Sequence, residues 1–303
     1  MIPQLLLYKI LQLSVAMALG FILVKLKLLK SADSTALSKL SLYVLMPSAI
    51  INAFSIELTP SISKGIALAF LSAFVLNGAL LLVDLGFKKI CRATAVERAS
   101  VVYPNAANLI IPIVSFVLGE EWVVYSCAFM SVQLFFLWTH GIKLFTGKLN
   151  LKKIVTNVNI IAIVIGALLM VTGIKLPQFA LDITSSFGSM LGNIGMVIAG
   201  MMAAQVDFKK MLAKKRLYLV ALMRMIICPF LTLAIVKLLL LVFDIPNVEK
   251  ILLISYLASI TPSAATVMQF ALLHSDEADY SVAINIVTTL LCIVTMPIFV
   301  FLY

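Results

Sequence analysis

Ten residues inside an apolar run, Tyr103–Pro112, read YPNAANLIIP and hold two prolines and two asparagines. A proline lacks the backbone N–H and its ring clashes with the carbonyl one turn back, so a helix breaks or kinks there. In hydrocarbon the backbone groups freed by such a break persist only where protein buries them or a cavity receives them. Asn105 and Asn108 are three residues apart, so a helical turn between them sets both amides on one side. A second stretch, Thr261–Val267, reads TPSAATV. Pro104-Asn105-Ala106-Ala107-Asn108 aligns with Pro262-Ser263-Ala264-Ala265-Thr266, each running proline, small polar, Ala, Ala, polar. Two interrupted apolar segments at corresponding places in two halves of a chain are the pattern of a transporter's binding site. The alternative for each stretch is a proline kink packed on its neighbours, with the amides bonded to adjacent backbone.

The chemistry on offer suits an anion. Breaks at Pro104, Pro112 and Pro262 expose orphan N–H groups and the positive end of a helix dipole. Asn105, Asn108, Ser263, Thr266 and Gln269 add neutral donors, which together can hold a carboxylate without a fixed countercharge. Gln133 and Asn77 are further donors, with interhelical hydrogen bonding as their alternative role. Arg224 is a candidate gate or charge partner for an anion; lying within two turns of a segment end, it could instead snorkel to the interface. No HExxH, GxSxG or Walker A pattern occurs, so no enzyme is expected. The two histidines, His140 and His274, read as interfacial residues, and Asp84 as a solvated carboxylate at a helix end. That reading argues against a bound metal and against a proton relay as the main event. Cys91, Cys127, Cys228 and Cys292 are scattered and read as buried free thiols. No cofactor is expected; sodium or proton coupling is left open.

The elements that must position these residues follow from composition. Hydrophobic residues make up 63% of the 303 and charged residues 12%, against about 25% charged in soluble domains. This is a polytopic membrane protein. Apolar runs of roughly 20 residues fall at about 4–24, 35–54, 62–85, 97–118, 121–144, 156–173, 180–204, 216–243, 249–272 and 279–302. The first has no cleavage-site pattern and reads as a retained helix. The net charge of +10 sits in short clusters between runs, a topology signal and not a nucleic-acid footprint. Sixteen Lys and Arg residues fall in alternate loops, against four (Lys9, Lys64, Lys175 and Lys250) on the other side. The richer side is cytoplasmic by the positive-inside rule, so both termini lie outside. A basic linker, 147–155, separates segments one to five (1–146) from six to ten (156–303). An odd number per half makes the halves inverted repeats, if they are repeats. Segment two carries Pro47 and Asn52. Segment seven carries Gly188, Gly192, Gly195 and Gly200, a stripe for close backbone approach either within the monomer or between subunits.

These residues resemble the auxin efflux carrier family, which includes plant auxin exporters and bacterial malate and malonate permeases. Leu40-Ser41-Leu42-Tyr43-Val44-Leu45-Met46-Pro47 is similar to its second-helix motif, and Pro104-Asn105 with Pro112 to its fourth. Gln133 with Thr139, Arg224 with Pro229, Pro262-Ser263-Ala264, and Thr288, Thr289 and Pro297 follow in family order. The resemblance implies an all-α membrane protein of ten helices in two inverted five-helix repeats, with broken, crossing helices four and nine. It implies a scaffold of helices one, two, six and seven with Pro47, Asn52, Gly188 and Gly192 on its face. Helices three to five and eight to ten would form a transport domain that moves as an elevator. A homodimer in the inner membrane of a prokaryote, carrying a small organic anion, is the expectation. Departures occur: Ala107 and Ile110 replace family glycines, and Asn108 replaces an apolar or aromatic residue. Two other readings stand: a sodium-coupled organic anion symporter on the same fold, with Asn108, Thr266 and Gln269 as ligands, and a non-transporting membrane receptor.

Overall fold

Thr59 opens the longest helix: its hydroxyl accepts the Ile62 N–H at 3.2 Å, and Pro60 takes the first helical position, where the missing N–H costs nothing. The helix then runs 32 residues to Cys91 and ends at Arg92, whose φ of +49° turns the chain out of it. The computed structural model describes residues 2–148 and 155–303, the side chain of Ala107 excepted. Residues 149–154 of the expected linker, with Lys152 and Lys153, lie outside the described residues.

The described helices of eight residues or more are α1 Ile2–Lys25, α2 Ser31–Phe54, α3 Pro60–Cys91, α4 Ala95–Val102, α5 Ala106–Val117, α6 Glu120–Thr146, α7 Val158–Thr172, α8 Gln178–Ala203, α9 Lys215–Val242, α10 Val248–Ser259, α11 Ala265–His274 and α12 Ala278–Leu302, with a short turn of helix at Phe208–Leu212. Seven of them (α1, α2, α3, α6, α8, α9 and α12) are long and apolar enough to cross a membrane, and among the described residues α5, α7 and α11 hold shorter apolar helices. The fourth and ninth apolar segments are therefore each found as two helices, α4 with α5 and α10 with α11.

Two prolines inside the long helices follow a widened turn, whereas Pro297 sits in unbroken α-helix in α12. Pro47 follows a π turn at Ser41–Leu45, and Pro229 follows another at Met223–Ile227. A wider i→i+5 turn is the usual accommodation where the i→i+4 ladder is interrupted. The expected seventh segment is two helical pieces, Gln178–Ser189 and Leu191–Ala203, joined at Met190.

Packing sorts the helices into two groups. The second half of α2 lies against α7 and the first half of α8, and α1 runs along the second half of α8. In the other group α3 packs on α6 and α10, α9 on α10 and α12, and α11 on α12. α5 and α12 meet α1 and α8 across the seam between the groups. The α1–α8 contact explains part of the glycine stripe. A Cβ on Gly200 would stand 1.8 Å from the Met17 carbonyl oxygen, and one on Gly20 2.2 Å from that of Val197. The stripe thus serves packing within one chain. Because backbone, not a movable side chain, blocks the space, Gly200→Ala should force α1 off α8. Overpacking of this kind costs about 1–3 kcal/mol, and thermal unfolding in detergent checks it; an unchanged midpoint would show that the close approach contributes nothing.

Candidate functional site

Helix α4 stops because Pro104 cannot supply the next N–H, and Tyr103 before it is held extended (φ −97°, ψ 110°). α5 begins two residues later at Ala106. Helix α10 stops at Ser259, three residues ahead of Pro262, and α11 begins at Ala265. The two short links lie against each other as an antiparallel bridge, Pro104 opposite Ser263. Asn105 N–H donates to Pro262 O at 2.7 Å, and Ala264 N–H donates to Tyr103 O at 2.9 Å. Each break therefore satisfies backbone groups that the other left open, as burial in an apolar interior requires.

Four helix ends converge here, and they are treated unequally. The C-terminal ends of α4 and α10 carry unpaired carbonyls and the negative pole of each dipole. Arg224, fully buried in the π turn of α9, covers both. Its Nε and Nη2 donate to Thr261 O at 2.9 and 2.7 Å, its Nη1 to Val101 O at 3.0 Å, and its Nη2 also to Ser259 O. The side chain does not snorkel. Its planar fork suits three carbonyls that no aliphatic ammonium could meet together.

The N-terminal ends of α5 and α11 have only neutral company. Asn105 Oδ1 accepts the Ala265 N–H at 3.4 Å and Asn108 Nδ2 at 3.3 Å, so the i, i+3 pair does share one side. Gln133 from α6 donates through Nε2 to Pro104 O. In the matching place Asn285 of α12 donates to Ser263 O, and Thr288 Oγ1 accepts the Ser263 N–H at 3.2 Å. Asn285 was not among the residues singled out from the sequence. The signal was available: an amide three residues before Thr288, alone in the apolar run of α12. Around the links Gln133 Oε1, Ser263 Oγ and Thr289 Oγ1 are buried without a hydrogen-bond partner among the described residues.

Thr266, Gln269 and Asn108 line a narrow crevice of about 40 Å³ with Ser38, Ser41 and Gly195. On the far side of the links a larger cavity of about 380 Å³ opens between α2, α8 and α5; Pro112, Asn52, Gly188, Ser115, Ser185 and Lys9 line it. Between the two, Gly192 and Gly195 let α5 close on α8: added Cβ atoms would lie 2.7 Å from Pro112 Cγ and 3.1 Å from Asn108 Cγ. Gly188 meets the backbone of Ala49, and Pro47 is buried in α2. Asn77 is buried and donates within its own helix to Ala73 O at 2.8 Å, so nothing joins it to the links.

Two expectations are overturned. Pro112 breaks no helix: α5 runs through it from Ala106 to Val117, so the interruption lies at Pro104 alone. Asp84 is not a solvated helix-end carboxylate: it is fully buried, gripped by Arg98 through Nε at 2.8 Å and Nη2 at 2.6 Å, with His140 Nε2 at 3.3 Å. Asp84 and His140 lie on different helices, so no spacing along the sequence joins them.

An all-helical membrane protein with two interrupted helices joined at a buried polar centre is the architecture of a transport protein. The chain belongs to the membrane transport protein family, that of the auxin efflux carriers: the family model matches residues 5–157 and again residues 146–300. No curated protein matches the chain.

Proposed function

We propose that the chain is a secondary carrier of a small organic anion, a mono- or dicarboxylate of the auxin-like, malate or malonate class. The observation that carries this reading is the unequal treatment of the helix ends. A buried guanidinium offsets the two negative ends, while only neutral oxygens stand at the positive ends: Asn105 Oδ1 and Thr288 Oγ1 accept the N–H groups of Ala265 and Ser263 at α11, and no side chain caps α5. The excess is positive, with no carboxylate bonded to either link among the described residues, and a substrate carboxylate is the group that balances it. Asn105, Asn108, Thr266 and Gln269 bind it; Gln133, Asn285, Thr288 and Arg224 hold the links in place. Ser263, between Pro262 and the start of α11, adds a free hydroxyl.

The same reading takes α4 with α5 and α10 with α11 as broken spans four and nine of ten, in two inverted repeats of five. α1, α2, α7 and α8 are the scaffold, and the remaining helices slide along it as an elevator past the small face of Gly188, Gly192 and Gly195. In this reading both termini lie outside a prokaryotic inner membrane, an orientation the basic loops support by the positive-inside rule, and the scaffold is the surface for a homodimer.

Uptake of radiolabelled malonate, malate and indole-3-acetate into vesicles holding the purified protein, with and without sodium, tests this. Saturable uptake of at least one, unchanged by removal of sodium, is expected. Uptake no faster than into empty vesicles for every member would overturn the carrier reading, and uptake that requires sodium would replace it with a symporter.

A further inference from the structure

The larger cavity, about 380 Å³ between α2, α8 and α5, stands apart from the links and holds a cation that the links do not use, Lys9 of α1. Lys9 lies about two turns inside the Ile2 end of its helix. A lysine so placed ordinarily snorkels to the near end, the direction in which helical side chains already lean. Lys9 does the reverse. Its ammonium donates to Gln12 Oε1 at 3.2 Å, one turn further into the helix, and stands 5.3 Å from the centre of the Phe116 ring on α5. Gln12 is its one hydrogen-bond acceptor among the described residues, which leaves two of the three ammonium hydrogens uncommitted. Among those residues no carboxylate makes an ion pair with it.

The walls of the cavity differ in chemistry. Asn52 of α2 and Ser185 of α8 line it with side chains that bond no other group among the described residues, so neutral donors accompany Lys9. α5 and the start of α6 bring apolar surface, including Pro112 and Phe116, and one acid, Glu120. The Glu120 carboxylate accepts the Ser115 hydroxyl at 2.6 Å. A volume of this size falls among small-molecule sites, which run from about 300 to 1,000 Å³. Such walls select among anions. One carboxylate satisfies the uncommitted ammonium, and an apolar body covers Pro112 and Phe116. A second carboxylate in the same space meets Glu120, and like charges at short range repel. An uncharged ligand leaves Lys9 unpaired.

We propose that the larger cavity is a binding site for a monocarboxylate with an apolar body, in which Lys9 pairs with the carboxylate and Glu120 excludes a second negative charge. That such an anion passes on to Asn105 and Asn108 rests on the carrier reading; binding in the cavity does not.

Isothermal titration calorimetry on the full chain in lipid nanodiscs tests this, with 3-phenylpropanoate and malonate as the probes. The wild type should bind 3-phenylpropanoate more tightly than malonate. Lys9→Gln should weaken 3-phenylpropanoate by a factor on the order of ten or more, a loss easily read as a change in Kd. Lys9→Arg, which keeps the charge, should retain most of the affinity. Glu120→Gln, which can still accept the Ser115 hydrogen, should tighten malonate by about tenfold and leave 3-phenylpropanoate unchanged. No 3-phenylpropanoate binding by the wild type overturns the site, as does wild-type affinity in Lys9→Gln. Equal losses in Lys9→Arg and Lys9→Gln would reduce Lys9 to a structural part, and malonate binding indifferent to Glu120→Gln would remove the charge exclusion. Vesicle uptake is read separately: this binding pattern without uptake keeps the cavity and removes the carrier, and uptake without any Lys9-dependent binding does the opposite.

Discussion

Asn105→Asp is expected to abolish carboxylate transport while leaving the protein at least as stable as the wild type. The change keeps an oxygen where Ala265 N–H and Asn108 Nδ2 now donate, and an anionic side chain at a helix N-terminus is favourable. Its charge, however, occupies the place assigned to the substrate. Two like charges about 4 Å apart repel by about 4 kcal/mol at an effective dielectric near 20, roughly a thousandfold in affinity. Asn105→Ala should also stop transport, but with a lower unfolding temperature, because the Ala265 N–H loses its acceptor at a cost of about 1–3 kcal/mol. Vesicle uptake and thermal unfolding measured on both variants separate the roles. Wild-type uptake by Asn105→Asp would mean that no anion sits at these helix ends, and the proposed function would fall with it.

Arg224→Leu should produce a protein that is hard to fold at all. The substitution removes the group that meets the carbonyls of Val101, Ser259 and Thr261 inside the molecule, and each buried carbonyl left without a donor costs about 1–3 kcal/mol. That is a large share of a typical net stability of about 5–15 kcal/mol. Arg224→Lys should fall between, since an ammonium keeps the charge but cannot span three acceptors on two helix ends. Yield of monodisperse protein in detergent and its unfolding midpoint are the measurements. A stable Arg224→Leu protein that has lost transport would instead return Arg224 to the role of charge partner for the substrate.

Much of the candidate site was legible because proline chemistry is local. Pro104 and Pro262 interrupt their helices where Pro47, Pro112, Pro229 and Pro297 do not, and the repeated Pro, polar, Ala, Ala, polar pattern marks two breaks of one kind. The pairing of Asn105 with Asn108 followed from helical spacing alone. Asn285 was passed over because a single amide in an apolar helix has several ordinary uses, and only the contact with Ser263 O distinguishes this one. Arg224 was read from its distance to the segment end, which favoured snorkelling; depth along one helix says nothing about what lies beside it. The glycine stripe left two partners open, a second subunit or α1, and the approach of Met17 to Gly200 shows that α1 is one it serves.

Composition determined that this chain is an integral membrane protein, and the placing of two prolines determined where two helices break. These are properties of a residue and its near neighbours, fixed by hydrocarbon solvation and by the missing proline N–H. Tertiary structure decided which broken ends meet, that a cation covers the carbonyl ends and none the amide ends, and that Asp84, His140 and Tyr103 share one hydrogen-bonded cluster. Those facts join residues from α3, α4, α5, α6, α9, α10 and α11. No periodicity along one helix encodes the partner that packing brings to its side.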